Sequence, residues 1–186
     1  GDQRFHDLEP LANGGYLASW VSQDKYIKGQ IFGTDGRKIG NEFQVNTYSG
    51  ASEVGTYWHQ APSIAALSDG GFFVTWNSWD DYHGGDAYDV YGQFFDVSGE
   101  KIGPEFLVNH LSFGEQQYTN AVEVKGGVFV TYTSNDPTGA TTPDHQYNDQ
   151  DASGIMGKFV PNPSLINSND GDPKVVDIRL NSTFEN

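Results

Sequence analysis

One apolar heptapeptide returns at a fixed interval, and that period restricts the fold more than any other feature of the chain. GGYLASW occupies residues 14–20, GGFFVTW 70–76 and GGVFVTY 126–132, so the run recurs every 56 residues. A period of this size marks a repeat architecture, in which each unit is one supersecondary block that cannot bury its apolar face alone. Within each copy alternate side chains share a face: Phe72, Val74 and Trp76 on one, Phe73 and Thr75 on the other. Such alternation, rich in aromatic and β-branched residues and opened by Gly-Gly, predicts a half-buried strand.

The second copy lays out the rest of the unit. Residues 61–67 (APSIAAL) form a short leading strand, and a turn at 68–71 (SDGG) leads into the heptapeptide strand. A polar loop follows, then a third strand at 91–96 (YGQFFD), a hairpin turn at 97–100 (VSGE) and a fourth strand at 101–109 (KIGPEFLVN). In the first copy Leu8 and Leu11 take the places of Ile64 and Leu67, GQIF (29–32) that of GQFF (92–95), and KIGNEFQVN (38–46) parallels KIGPEFLVN. The third copy is looser. Its first strand is 117–124 and its third 157–160, with a Pro/Asn/Ser/Asp-rich insert at 161–173 in the hairpin position. Alignment on residues 106–109 places IRLN (178–181) as its fourth strand. The expectation is one all-β domain of three four-stranded antiparallel units, about 1–46, 47–109 and 110–181.

Composition agrees with a turn-rich β-protein: 23 glycines in 186 residues and no long stretch of helical period. The formal net charge of −15 argues against nucleic acid and anionic membranes as partners. With no cysteine, disulfides, thiolate metal sites and cysteine nucleophiles are excluded. No apolar run approaches the roughly 20 residues of a membrane span, so membrane insertion is not expected. No signal-like segment opens the chain at Gly1, and the expectation is a processed form or a piece of something longer. An acidic, Gly/Asn/Asp-rich, cysteine-free β-repeat fits an extracellular or cell-surface setting.

The pattern of GGFxVTW, an acidic Gly-rich loop, GQxFD, GxxIG and EFxVN resembles a tandem repeat of large secreted and cell-surface proteins of the adhesin or calcium-repeat kind. Residues 71–76, 92–96 and 101–109 carry the resemblance most clearly. It implies propeller-blade-like sheets and an extracellular setting, and it brings no catalytic residues. Tyr132 in place of Trp and the insert at 161–173 depart from the pattern. Radial arrays of four-stranded blades close with about four to eight copies, and here there are three. The units therefore form part of a β-propeller or an open stack of sheets, and their exposed ends call for a partner surface.

The connection between second and third strands grows along the chain, from 8 residues (21–28) to 15 (77–91) and 24 (133–156). Loops of the last size are functional or disordered. Each connection opens on Ser-x-Asp: Ser22 and Asp24, Ser78 and Asp80, Ser134 and Asp136. The bland reading is local turn chemistry. Asn46, Asn109 and Asn181 invite the same interpretation as strand-end turn formers, and Asn181 also opens the one N-x-[ST] glycosylation sequon.

For calcium the candidates are Asp80, Asp81, Asp86 and Asp89 in the second connection and Asp136, Asp149 and Asp151 in the third, with Asp144 beside them. Gly-rich Asp loops suit the six to eight oxygens calcium takes, roughly, although the spacing misses the D-x-[DN]-x-[DN]-G loop and solvated turns explain it as simply. For a ligand the candidates are Trp79, Tyr82, Tyr88 and His83, flat apolar faces beside polar neighbours. Aromatic caps on a sheet core are the competing account.

His6, His59, His83, His110 and His145 are scattered without metalloprotease spacing, and no carboxylate pair stands out, so an enzyme is not expected. The sequence predicts a non-catalytic extracellular structural or adhesive module that self-associates or joins a larger surface assembly. Its partners would be other copies of itself or further repeats of a longer chain. The alternative is a carbohydrate-binding, lectin-like module, calcium-dependent, with glycans as partners.

Overall fold

The computed structural model describes residues 3–23, 26–47, 59–80, 87–109, 114–135, 154–165 and 177–180. Among them are twelve strands: β1 (Gln3–Pro10), β2 (Tyr16–Ser22), β3 (Tyr26–Phe32), β4 (Lys38–Gln44), β5 (His59–Ala66), β6 (Phe72–Asp80), β7 (Ala87–Phe95), β8 (Lys101–Leu107), β9 (Glu115–Val124), β10 (Gly127–Asn135), β11 (Gly154–Pro161) and β12 (Asp177–Leu180). They form three four-stranded antiparallel sheets of order β1-β2-β3-β4, β5-β6-β7-β8 and β9-β10-β11-β12. Each repeat of the sequence is thus one sheet. The segment that looks like a stray tail, DIRL, pairs with β11 as the fourth strand of the third sheet.

The sheets stack face to face, and every junction has the same direction. Ile64, Phe72, Val74, Trp76 and Phe95 of the second sheet pack on Leu11, Leu17, Val21, Ile27 and Ile31 of the first. Ala121, Val128, Val130, Tyr132 and Val160 of the third then pack on Ala65, Leu67, Phe73, Val90 and Phe94, the opposite face of the second. The middle heptapeptide strand is therefore buried on both faces, while in β2 burial alternates residue by residue. The half-buried strand expected from alternation exists at the ends of the stack and not in its middle, because sequence period reports which residues share a face and not how many faces are covered.

The stack tapers. β5 lies against β1 and β2, and β9 lies against β5, β6 and β7, whereas β4 and β8 make no comparable approach to a neighbouring sheet. Small residues allow the close approach of the first strands: Ser63, Ala65 and Ala66 in β5, Ala121 in β9. Farther out, the fillers are phenylalanine rings. Phe43 meets Phe95 at 5.5 Å and Phe72 at 6.0 Å in one junction, and Phe94 meets Phe73 at 4.6 Å and Phe106 at 6.1 Å in the other.

The motifs GQxF and IGxEF explain one another. Pairing of β3 with β4 jumps from Gly29/Phe43 to Ile31/Ile39, and that of β7 with β8 from Gly92/Phe106 to Phe94/Ile102, so the outer strand bulges opposite a glutamine. Gly40 and Gly103 take left-handed φ values of 67° and 70° in these bulges, which a side chain would strain. The bulge carbonyls lose ladder partners, and the buried glutamines supply them. Gln30 Nε2 donates to Ile39 O at 3.1 Å, and Gln93 Nε2 donates to Gly103 O at 3.1 Å and Ile102 O at 3.3 Å.

Strands two and three reach farther into the connections than the sequence suggests, leaving 23–25, 81–86 and 136–153 between them. Ser22, Ser78 and Ser134 are consequently strand residues, Ser78 pairing with both His59 and Asp89, and not loop openers. Cross-strand pairing of Trp79 with Tyr88 extends the ladder beyond the apolar pattern.

Candidate functional site

The place where all three sheets meet is the surface formed by their first strands, β1, β5 and β9. Each of these is broken by a bulge at the same point, where Phe5, Ala61 and Tyr118 hold left-handed φ values of 45°, 46° and 54°. These are uncommon conformations for residues with a Cβ. Two positions after each bulge come Asp7, Ser63 and Asn120, which line a groove of about 330 Å³ together with Glu9, Ala65 and Glu123.

The groove is acidic, and two of its carboxylates also fasten the sheets. Asp7 Oδ2 accepts from Ile64 N at 2.8 Å, tying β1 to β5. Glu123 Oε1 accepts from Ser68 N at 2.7 Å and Ser68 Oγ at 2.8 Å, tying the third sheet to the second. Partial burial, and secondarily the negative charge of Asp7, raises the Glu9 carboxyl above its ordinary pKa. Chemically such a lining accepts hydrogen bonds. Among the described residues no group of three or more His, Asp or Glu side chains is placed to hold a metal ion. The groove was missed in the sequence because its members lie one per repeat, in strands that read as ordinary leading strands.

Of the residues singled out from the sequence, the structure brings Trp79 and Tyr88 together. Their rings meet edge to face at 5.1 Å across the β6/β7 ladder, both partly buried. Burial, and then the charge of Glu115 on the adjoining sheet, raises the Tyr88 phenol. The pair therefore extends the sheet core into the next junction. Asp89 is buried and accepts from Asn109 Nδ2 at 2.7 Å, so its carboxylate is spent on an internal tie. The backbone of Asp80 ends β6. The side chain of Asp80, and Asp81, Tyr82, His83, Asp86, Asp136, Asp144, Asp149, Asp151 and Asn181, lie outside the described residues.

Asn46 and Asn109 have a different role from the turn formers expected. Both are buried, and each accepts from a backbone N–H of the third strand: Ile27 N to Asn46 Oδ1 at 2.8 Å, Val90 N to Asn109 Oδ1 at 2.7 Å. The terminal Val-Asn of the repeat is thus a pin that fixes the segment after the fourth strand to the third strand.

Fold and site together define an all-β protein of tapering, directionally packed four-stranded sheets. No family model matches the chain, and no curated protein matches it. Among solved structures it is similar to a thermostable family-43 glycoside hydrolase, at 12% identity and a TM-score of 0.49, over 86% of this chain and 55% of that one. The chain thus spans about half the length of that enzyme. This stands against the expectation of a non-catalytic structural or adhesive module and its lectin-like alternative, since this solved protein is a hydrolase. A likeness at this level gives the chain no activity and carries no further argument.

Proposed function

We propose that the three sheets are adjacent blades of a β-propeller and that the chain acts through the groove on the ring's inner wall. The taper carries this reading. First strands approach one another through Ser and Ala, while phenylalanine rings lie toward the outer strands, an arrangement that fits sheets splayed about a common line. Small residues inside and large ones outside are what a radial arrangement needs, and parallel layers would need equal fillers at both ends. The line of convergence runs along β1, β5 and β9, which puts Asp7, Glu9, Asn120 and Glu123 on the axis side. An acceptor-rich wall of this kind serves a small ligand rich in hydrogen-bond donors.

Paired spin labels test the arrangement. Cysteines replacing Ala12 and Ser68, in the turns after the first strands of two adjacent sheets, report the separation near the axis. Cysteines replacing Asp35 and Ser98, in the turns before the fourth strands, report it at the rim. The expected result is a clearly longer distance for the outer pair. Equal distances mean parallel layers and overturn the propeller.

A further inference from the structure

Among the described residues, the stack ends in two faces that no other described sheet covers, and they are the two halves of one junction. In the first sheet, the face that would pack on a preceding sheet carries Leu8, Tyr16, Trp20 and Phe32, the counterparts of buried Ile64, Phe72, Trp76 and Phe95. Leu8 is 58% exposed, whereas Ile64 is 3% exposed. In the third sheet, the face that would receive a following sheet carries Val122, Val124, Phe129 and Ile155, the counterparts of Ala65, Leu67, Phe73 and Val90. Val122 is 57% and Ile155 53% exposed, while those four counterparts are buried. The contact made twice inside the chain is therefore offered a third time, with its donor face at one end and its acceptor face at the other.

We infer that a second copy of this chain covers these faces head to tail, the first sheet of each copy packing on the third sheet of the other. The observations favour a second copy because each end of the chain already carries the surface that the other end lacks. Such a contact is heterologous, and it gives a discrete object only if the rotation closes. On the propeller reading, with which this inference stands, two copies supply six blades, within the about four to eight that close a ring.

Sedimentation of the chain over a wide concentration range, combined with substitutions at each face, tests this. The expected result is a discrete dimer. Leu8→Asp and Ile155→Asp each change a side chain that is exposed in the single chain, so each leaves the fold intact by circular dichroism. Each weakens the dimer about 100-fold or more, since a charge then occupies an apolar junction. Mixing the two variants gives more dimer than either variant alone, because the mixed pair keeps one junction with both faces unaltered while the other junction takes both aspartates. A monomer at every concentration, or a dimer indifferent to both substitutions, overturns the inference and leaves the spin-label distances to decide the propeller. Assemblies that keep growing with concentration overturn the closed pair.

Discussion

Removing the Asn109 side chain should damage the fold far more than its place at a strand end suggests. In Asn109→Ala the Val90 N–H, buried among Ala65, Phe94 and Val108, loses its acceptor at 2.7 Å. A buried donor left without a partner costs about 1–3 kcal/mol. The same substitution removes the Nδ2 donor from the Asp89 carboxylate, also at 2.7 Å, and hydrogen bonds to charged groups contribute about 1.5–3 kcal/mol. The two losses share one side chain and are not simply additive, so the expected loss is about 3–4 kcal/mol, a fall in Tm of about 10 °C for a domain of this size. Urea unfolding followed by the fluorescence of buried Trp76 measures it. Asn109→Asp separates the two contributions. It keeps an acceptor for Val90 but sets a second carboxylate against Asp89, and two carboxylates in contact raise the pKa of one of them. A raised folded-state pKa costs nothing below the unfolded value and its full amount once pH passes the folded value. Asn109→Asp should therefore lose stability as pH rises from acid to neutral. A loss under about 1 kcal/mol for Asn109→Ala, or an Asn109→Asp penalty independent of pH, would refute the pin.

Two further outcomes follow from neighbouring geometry. A Cβ at Gly92 would stand 2.4 Å from Phe73 Cζ and 3.1 Å from Val108 Cγ2, so Gly92→Ala should cost about 1–3 kcal/mol by overpacking, measured by the same unfolding curves, while an unchanged midpoint would mean the Phe73 ring moves freely. The Asp96 carboxylate accepts from Ser98 Oγ, Ser98 N and Glu100 N at 2.6–3.0 Å, and these bonds, the Ser98 hydroxyl first, hold it below its ordinary pKa of 3.8. Its contribution is present above the unfolded value and lost as pH falls through the folded one, so Asp96→Ala should lower Tm by about 2–4 °C at pH 7, with the difference from the unaltered chain closing in strong acid.

The two ends of one repeat show what each level of description can carry. Spacing and alternation alone determined that the chain is all-β, that residues 14–20, 70–76 and 126–132 are equivalent strands, and that DIRL belongs to the third sheet. These are local properties: which side chains share a face depends on a period of two, and the period is written in the sequence. Tertiary structure decided how many faces are covered, which makes Phe72 and Phe73 both core while Leu8 and Val122 stay in solvent. It decided that Gln30 and Gln93 stitch bulges, and that Asn46 and Asn109 are buried pins. It alone assembled the groove, since Asp7, Ser63 and Asn120 stand more than fifty residues apart along the chain and meet only because the first strands converge. Directional packing, the same two faces in the same order at each junction, needs neighbouring sheets to become visible, and a single repeat read as sequence contains only half of every contact it makes.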